Sequence, residues 1–156
     1  MLVALSVLIC IGAGTVGGVF FAFSTFVMKA LAQLPASQGV AAMQRVNVVV
    51  LNPLFLGVFM GSALLSLGGI VVSVLQWEAS GSSLLLAAGL LYLVGSFLVT
   101  VAFNVPRNER LARLSAQSSE AASYWPVYVR EWTLWNHVRT VASVAAAACA
   151  AGALVA

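Results

Sequence analysis

The sequence predicts an all-α integral membrane protein, a four-helix bundle that forms a single domain over residues 1–156. Hydrophobic residues make up 62% of the chain and charged residues only 7%, against roughly 25% charged residues in a typical soluble domain. There is no Asp, and the four acidic residues with seven Lys and Arg cannot cover a soluble fold of this size. The apolar surplus is therefore expected to face lipid, which makes the bilayer the first expected partner.

Long apolar runs predict the number of crossings. A spanning helix needs about 20 mostly apolar residues to cross about 30 Å of hydrocarbon. Three runs carry no charge, Leu2–Met28, Pro53–Trp77 and Ser82–Phe103, and a fourth span is drawn from Trp132–Ala156. None of them alternates apolar and polar residues as the strands of a membrane barrel do. Four helical crossings are therefore expected, with tight packing through small residues such as those of GVFMG, Gly57–Gly61.

The first loop is expected to contain a short interfacial or extended helix. The stretch Gly39–Asn52 is apolar with a few polar residues, and one helix running on into the second span would exceed the bilayer thickness. Pro53 marks the expected break, because proline suits the first position of a helix and Asn52 can cap it.

The third loop is expected to hold a second short helix. Because Val105 precedes a proline, the third span is expected to end near Asn104, with Asn108 capping the helix that follows. The polar stretch Ser115–Ser123 is interpreted as a loop. Tyr124 and Trp125 are interpreted as part of an interfacial aromatic belt.

The distribution of basic residues predicts the orientation. All seven Lys and Arg lie in or beside the first and third loops, whereas the termini and the second loop have none. The positive-inside rule then places those two loops in the cytoplasm and both termini outside the cell, in a plasma (inner) membrane.

Candidate functional residues form a stripe on the fourth helix. At 100° per residue they fall within an arc of about 100° on an otherwise apolar helix: Trp132, Trp135, Asn136, Arg139 and Ser143. Arg139 either extends to the headgroups or faces the bundle interior, as ionisable groups at membrane depth usually do. His137 lies off this stripe, where a lone histidine is more often structural than a ligand.

Polar residues of the other spans are expected at the same depth. Ser96, Thr100 and Asn104 form a second stripe at four-residue spacing on the third span. The remaining candidates are placed at the same membrane face by the topology: Ser24, Asn47, Asn52, Arg107 and Asn108. Their convergence predicts a pocket inside the bundle that opens toward the cytoplasm or the inner leaflet.

The residue inventory restricts the chemistry. One His, no Asp and two cysteines within spans, Cys10 and Cys149, cannot build a conventional metal centre, so no metal and no resident cofactor are expected. The sequence has no glycine-rich phosphate loop after a strand and no Ser-His-Asp set. The basic residues are explained by orientation, so nucleic acid is not an expected partner.

Four stretches resemble the anthrone oxygenase-like family of small four-span membrane proteins: GVFFAFSTFVMKAL (Gly18–Leu31), QRVNVVVLNPLF (Gln44–Phe55), LYLVGSFLVTVAFNVPRNERLA (Leu91–Ala112) and EWTLWNHVRTVAS (Glu131–Ser143). The most specific part of the resemblance is the pairing of NVPRN with WTLWNHVRT. It implies a role for Asn104, Arg107 and Asn108 in the first motif. In the second it implies one for Trp132, Asn136, His137 and Arg139.

The resemblance implies an oxidoreductase that oxidises a lipophilic phenol, anthrone or quinol with O₂ and without metal or flavin. Trp132 and Trp135 would form walls of the pocket, Arg139, Asn136 and Asn104 would stabilise an anion, and His137 could accept the proton. The alternative is a non-enzymatic lipid- or metabolite-binding membrane subunit, or a small transporter. The expected ligand is a hydrophobic small molecule, and the sequence leaves open whether the protein forms a homo-oligomer.

Overall fold

The computed structural model describes all 156 residues and contains only helices. Five helices follow one another along the chain, and we number them in order: α1 (Leu2–Ala32), α2 (Ala36–Val49), α3 (Pro53–Leu75), α4 (Ser82–Ala112) and α5 (Ser119–Gly152). The predicted all-α class is therefore confirmed.

Three of the five helices, α1, α3 and α4, are long and apolar enough to cross a membrane. Their outward faces carry exposed large hydrophobic side chains such as Phe26, Leu64 and Val94, as expected of surfaces that contact lipid. The longest helix is α5, with 34 residues, and its charged and aromatic residues all lie between Glu120 and Arg139.

The long helices pack at small residues. Helix α5 lies against α1 and α4, and α3 lies against the same two helices. A Cβ added at Gly95 would collide with the Cβ of Ala142, and one at Gly12 would collide with the hydroxyl of Ser62, so both positions require glycine for this close approach. The expectation for Gly57 and Gly61 is wrong, because both face open space on the outer side of α3.

The buried core forms three clusters along the helix axes. The middle cluster contains Phe20, Phe59 and Tyr92, and the cluster toward the termini contains Ile9, Leu85 and small residues of α5. The third lies at the end that carries the first and third loops, where α2 packs against the other helices. It is the most aromatic of the three: Met28, Val40, Met43, Leu111, Ala121, Tyr124, Trp125, Tyr128 and Trp132.

The break before α3 is where the sequence places it. Helix α2 ends at Val49, and Pro53 is the first residue of α3. The side-chain oxygen of Asn52 accepts a hydrogen bond from the backbone N–H of Phe55 at 3.0 Å, which is the predicted cap.

Helix α4 continues past its expected end at Asn104. Val105 has φ −59° and ψ −49°, which is helical, and the helix runs on to Ala112, so Asn108 lies inside it and caps nothing. The physical reason is a π-helical segment at Thr100–Asn104, directly ahead of Pro106. In a regular α-helix the proline ring clashes with the carbonyl four residues earlier, and the wider π turn changes that spacing.

The third loop is also shorter than predicted. Ser118 caps α5 by accepting a hydrogen bond from the N–H of Ala121 at 3.1 Å, so the helix begins at Ser119 inside the expected loop Ser115–Ser123. The interpretation of Tyr124 and Trp125 as an interfacial belt is wrong, because both side chains are buried in the aromatic core against α2. A Cβ on Gly39 of α2 would collide with the Trp125 ring, which shows how closely the two helices approach.

Candidate functional site

A buried guanidinium lies at the centre of the polar residues. The side chain of Arg139, 4% exposed, points from α5 into the interior and not to the protein surface. Its Nη2 donates to Oδ1 of Asn136 at 2.6 Å, and its Nη1 donates to the hydroxyl of Thr100 at 3.1 Å. Its Cζ lies 4.1 Å from the centroid of the Phe20 ring and 5.1 Å from that of the Trp132 ring. Both ring faces favour a cation there.

No carboxylate neutralises this cation. The two ion pairs of the molecule are Arg107–Glu131 and Arg113–Glu109. The Nε of Arg139 is buried and has no hydrogen-bond partner. Buried charges are normally paired or bound to a metal. Arg139 therefore gives the interior an uncompensated positive charge that a bound anion would stabilise.

Asn136 connects Arg139 to α1. Its Nδ2 donates to the carbonyl oxygen of Phe20 and to Oγ of Ser24, both at 2.7 Å. The hydroxyl of Thr140 donates to the carbonyl of Asn136 at 2.8 Å and lies 2.9 Å from Oγ of Ser24. Three residues after Phe20, α1 changes to a π-helix over Phe23–Val27. Such segments are frequent at functional sites.

Helix α4 presents the predicted stripe to α5. The hydroxyl of Ser143 donates to that of Ser96 at 2.9 Å, and Thr100 accepts from Arg139. Asn104 donates through Nδ2 to the carbonyl of Trp132 at 3.2 Å, and its buried Oδ1 has no partner. This stripe also lies on π-helical segments, Leu91–Leu98 and Thr100–Asn104.

A second polar cluster lies nearer to the loops. Oδ1 of Asn108 accepts from the Tyr128 hydroxyl and from Nε1 of Trp132, both at 2.8 Å. Asn47 of α2 has a buried amide nitrogen without a partner. In the same region burial raises the pKa of the Tyr124 phenol above its ordinary value, an effect opposed by the nearby guanidinium of Arg110.

Two predicted substrate-binding residues make contacts at the edge of the site. Arg107 forms its ion pair with Glu131 at 2.9 Å and donates to the carbonyl of Phe103 at 2.7 Å. Trp135 stacks on the Phe103 ring with centroids 3.6 Å apart. A third, Asn52, is exposed and caps α3, away from the buried network.

Two cavities form a groove on the outer side of the α1–α5 seam. One is about 620 Å³ in volume and mostly apolar, with Phe21, Val141 and Val144 among its lining residues. The other, about 400 Å³, continues toward the loops and is lined in part by Lys29 and Arg130. Ser24 and His137 line both. His137 is exposed there, on a different face of α5 from Arg139, as its helical phase predicts.

The structure thus brings most of the predicted residues together and adds members that the sequence reasoning missed. Thr140 and Phe20 belong to the network, although neither was a candidate. Thr140 follows Asn136 by four residues and Phe20 precedes Ser24 by four, so helical spacing around the known candidates was the available signal. Glu131 pairs with Arg107, and no sequence pattern indicated that contact.

No group of three His, Cys, Asp or Glu side chains lies close enough to hold a metal ion.

Neither the curated proteins nor the solved structures contain a match to this chain. The family model described as Anthrone oxygenase matches residues 52–149. That match spans α3, α4 and most of α5, including Asn104, Asn136 and Arg139, and it covers more than half of the chain. The protein therefore belongs to the anthrone oxygenase family.

Proposed function

We propose that the protein is a membrane-embedded, cofactor-independent oxygenase that oxidises a lipophilic anthrone, phenol or quinol with O₂. The observation that carries this proposal is Arg139, a buried cation without a carboxylate partner beside aromatic rings. Such a group stabilises a developing anion most strongly where water is excluded. Membership of the anthrone oxygenase family supports the same reaction class.

We further propose that α5 is the fourth crossing of a four-helix membrane bundle. From Thr140 onward the helix carries no charged side chain, and it packs along α1 and α4, which have the length of membrane spans. Arg139 then lies at the edge of the apolar layer, on the side of the first and third loops. By the positive-inside rule this is the cytoplasmic side, in the plasma membrane.

The substrate is proposed to bind in the groove between α1 and α5. Its larger cavity, about 620 Å³, is within the range of roughly 300–1,000 Å³ that is usual for small-molecule sites. Its apolar wall suits a flat polycyclic ring, and His137, Ser24 and Thr140 bring polar atoms to one end. A lipophilic substrate would reach this groove laterally from the bilayer.

The proposed chemistry starts with removal of a proton from the acidic C–H group of the anthrone. His137, exposed in the groove, accepts the proton, and the anion that remains is stabilised by the positive charge of Arg139, which lies behind Asn136 and is hydrogen-bonded to it. The anion passes electrons to O₂. In the complete reaction the CH₂ carbon loses both hydrogens and gains a C=O bond, so it is oxidised by four electrons. One oxygen atom enters that bond, the other leaves as water, and no further oxidant is needed.

Oxygen uptake and anthraquinone absorbance with anthrone as substrate test this proposal in purified protein, corrected for uncatalysed oxidation. Arg139→Gln is expected to lower kcat by about tenfold or more, because it removes a unit charge that acts on the groove from behind Asn136 and not by direct contact. Arg139→Lys keeps the charge but not the planar fork and should retain part of the activity. His137→Ala should be milder, since buffer base can replace an exposed proton acceptor.

Thr15→Val is the matched control, because Thr15 is exposed on α1 and its hydroxyl only donates to the Ile11 carbonyl of the same helix. Loss of activity in His137→Ala with full activity in Arg139→Gln would overturn the assignment of Arg139. Tight anthrone binding without oxygen uptake would instead favour the alternative, a metabolite-binding membrane subunit. Lys29 and Arg130, exposed at one end of the groove, favour that alternative, because their positive charges could bind the acidic group of an amphiphile.

A further inference from the structure

The hydrogen bonds of the network run in one direction, from the buried cation toward the groove. Arg139 donates to Oδ1 of Asn136, and Nδ2 of the same amide donates to Oγ of Ser24. An amide that accepts from a cation at one end is polarised to donate more strongly at the other. The hydrogen-bonded series Arg139–Asn136–Ser24 therefore extends the positive electrostatic potential of the guanidinium from the interior to the groove.

From this arrangement we propose that the hydroxyl of Ser24 binds the oxyanion of an ionised phenol or enol in the groove. The proposal rests on the proposed function only for the placement of the ligand. It narrows the ligand class to flat, lipophilic hydroxyarenes that bind as anions, and excludes neutral arenes as the preferred ligands. Ser24 becomes a specificity-determining residue.

The protons of the two neighbouring hydroxyls support this assignment. The hydroxyl of Thr140 donates its proton to the carbonyl of Asn136, so it does not donate to Ser24. Oγ of Ser24 accepts from Asn136, which leaves the Ser24 proton to be donated to Thr140 at 2.9 Å. A hydroxyl donor can rotate, and an oxyanion is a stronger acceptor than a second hydroxyl. Ser24 lines both cavities of the groove, so a ligand there lies within its reach.

The charges around the groove have the sign that an anion requires. No acidic residue lines either cavity. Lys29 and Arg130 lie exposed at its loop end, and neither forms an ion pair. Arg139 has no carboxylate partner behind Asn136. A bound anion would therefore meet only positive or neutral groups along the groove.

Binding of two probes to the purified protein tests the proposal: 2-hydroxyanthraquinone, whose absorption changes on ionisation, and anthraquinone, which cannot ionise. In the unmodified protein the pKa of the bound phenol should be lowered by about one unit or more. That corresponds to phenolate binding at least tenfold tighter than phenol. Ser24→Ala should remove most of this difference and leave the affinity for anthraquinone unchanged. Ser24→Thr, which keeps a hydroxyl, should preserve it.

Thr25→Val is the matched control, because Thr25 lines the same groove but its hydroxyl donates to the Phe21 carbonyl of its own helix at 2.7 Å. An unchanged pKa of the bound phenol in Ser24→Ala overturns the proposal. Equal weakening of both probes also overturns it, since the residue would then only shape the groove. The measurement needs no turnover, so it separates this inference from the proposed function. Binding of phenolate through Ser24 without consumption of O₂ would support this inference and contradict the oxygenase activity.

Discussion

At the scale of single residues, the position of Arg139 shows what helical phase can and cannot predict. Its side of α5, shared with Asn136 and Ser143, follows from 100° per residue, and so does the separate face of His137. The partners on other helices, Phe20 and Ser24 above all, do not follow. Phase relates residues within one helix, whereas pairing between helices depends on their relative rotation and depth. The sequence therefore predicted the stripe but not its contacts with other helices.

Asn108 is the residue whose structural role differs most from expectation, and it yields a test. Its side-chain oxygen is the acceptor for both the Tyr128 hydroxyl and the Trp132 indole N–H. Asn108→Ala should lower the free energy of unfolding by about 2–4 kcal/mol, since each buried donor left without a partner costs about 1–3 kcal/mol. Thermal unfolding in detergent measures this loss.

Asn108→Asp provides the comparison, because a carboxylate can accept both hydrogen bonds. It should be clearly more stable than Asn108→Ala. If the two variants unfold at the same temperature, the shared acceptor contributes little to stability.

At the scale of the helices, signals local to the sequence predicted some boundaries and failed at others. The Asn52–Pro53 pair gave the start of α3, because capping depends on residues that are neighbours in the chain. Pro106 led to a wrong prediction, namely that α4 ends near Asn104. There the backbone widens to a π-helix, and this segment packs against α5. The preference of the residue before a proline for extended backbone was therefore not decisive here.

The close approach of α4 to α5 predicts a strong effect at Gly95. Gly95→Ala would place a methyl group into Ala142 and push the helices apart, next to the Ser96–Ser143 and Thr100–Arg139 hydrogen bonds. The free energy of unfolding should fall by about 1–3 kcal/mol, as for other overpacked interiors. The proposed oxygenase activity should fall as well, because Thr100 moves away from the guanidinium.

Gly61→Ala is the matched control on α3, where nothing lies within 4 Å of the added carbon. It should leave stability unchanged or raise it slightly, because alanine has the higher helix propensity. Equal destabilisation by both substitutions would show that α3 also packs through this face, for example against a second copy of the chain.

At the scale of the whole molecule, the two ends differ in both size and charge. Helix α3, with 23 residues, is about 34 Å long and matches the hydrocarbon layer, whereas α1 and α4, with 31 residues each, reach about 46 Å. The excess length lies beside α2, where the aromatic core holds the helices together outside the proposed bilayer. Composition predicted the membrane class, but not this packed end, because apolar residues there are indistinguishable from lipid-facing ones in a sequence.

The charge difference between the two ends gives the last prediction, the topology. Every Lys and Arg lies at the end that carries the first and third loops or beside it: Lys29, Arg45, Arg107, Arg110, Arg113, Arg130 and Arg139. The other end has none, so the first and third loops should be cytoplasmic and both termini extracytoplasmic. Alkaline phosphatase, active only outside the cytoplasm, should be active when fused after Ala156 and inactive when fused at Ser115 in the third loop. The reverse pattern would place the groove and Arg139 at the outer leaflet. The proposed substrate would then have to approach from outside the cell, because the polar end of the groove lies on the side of these loops.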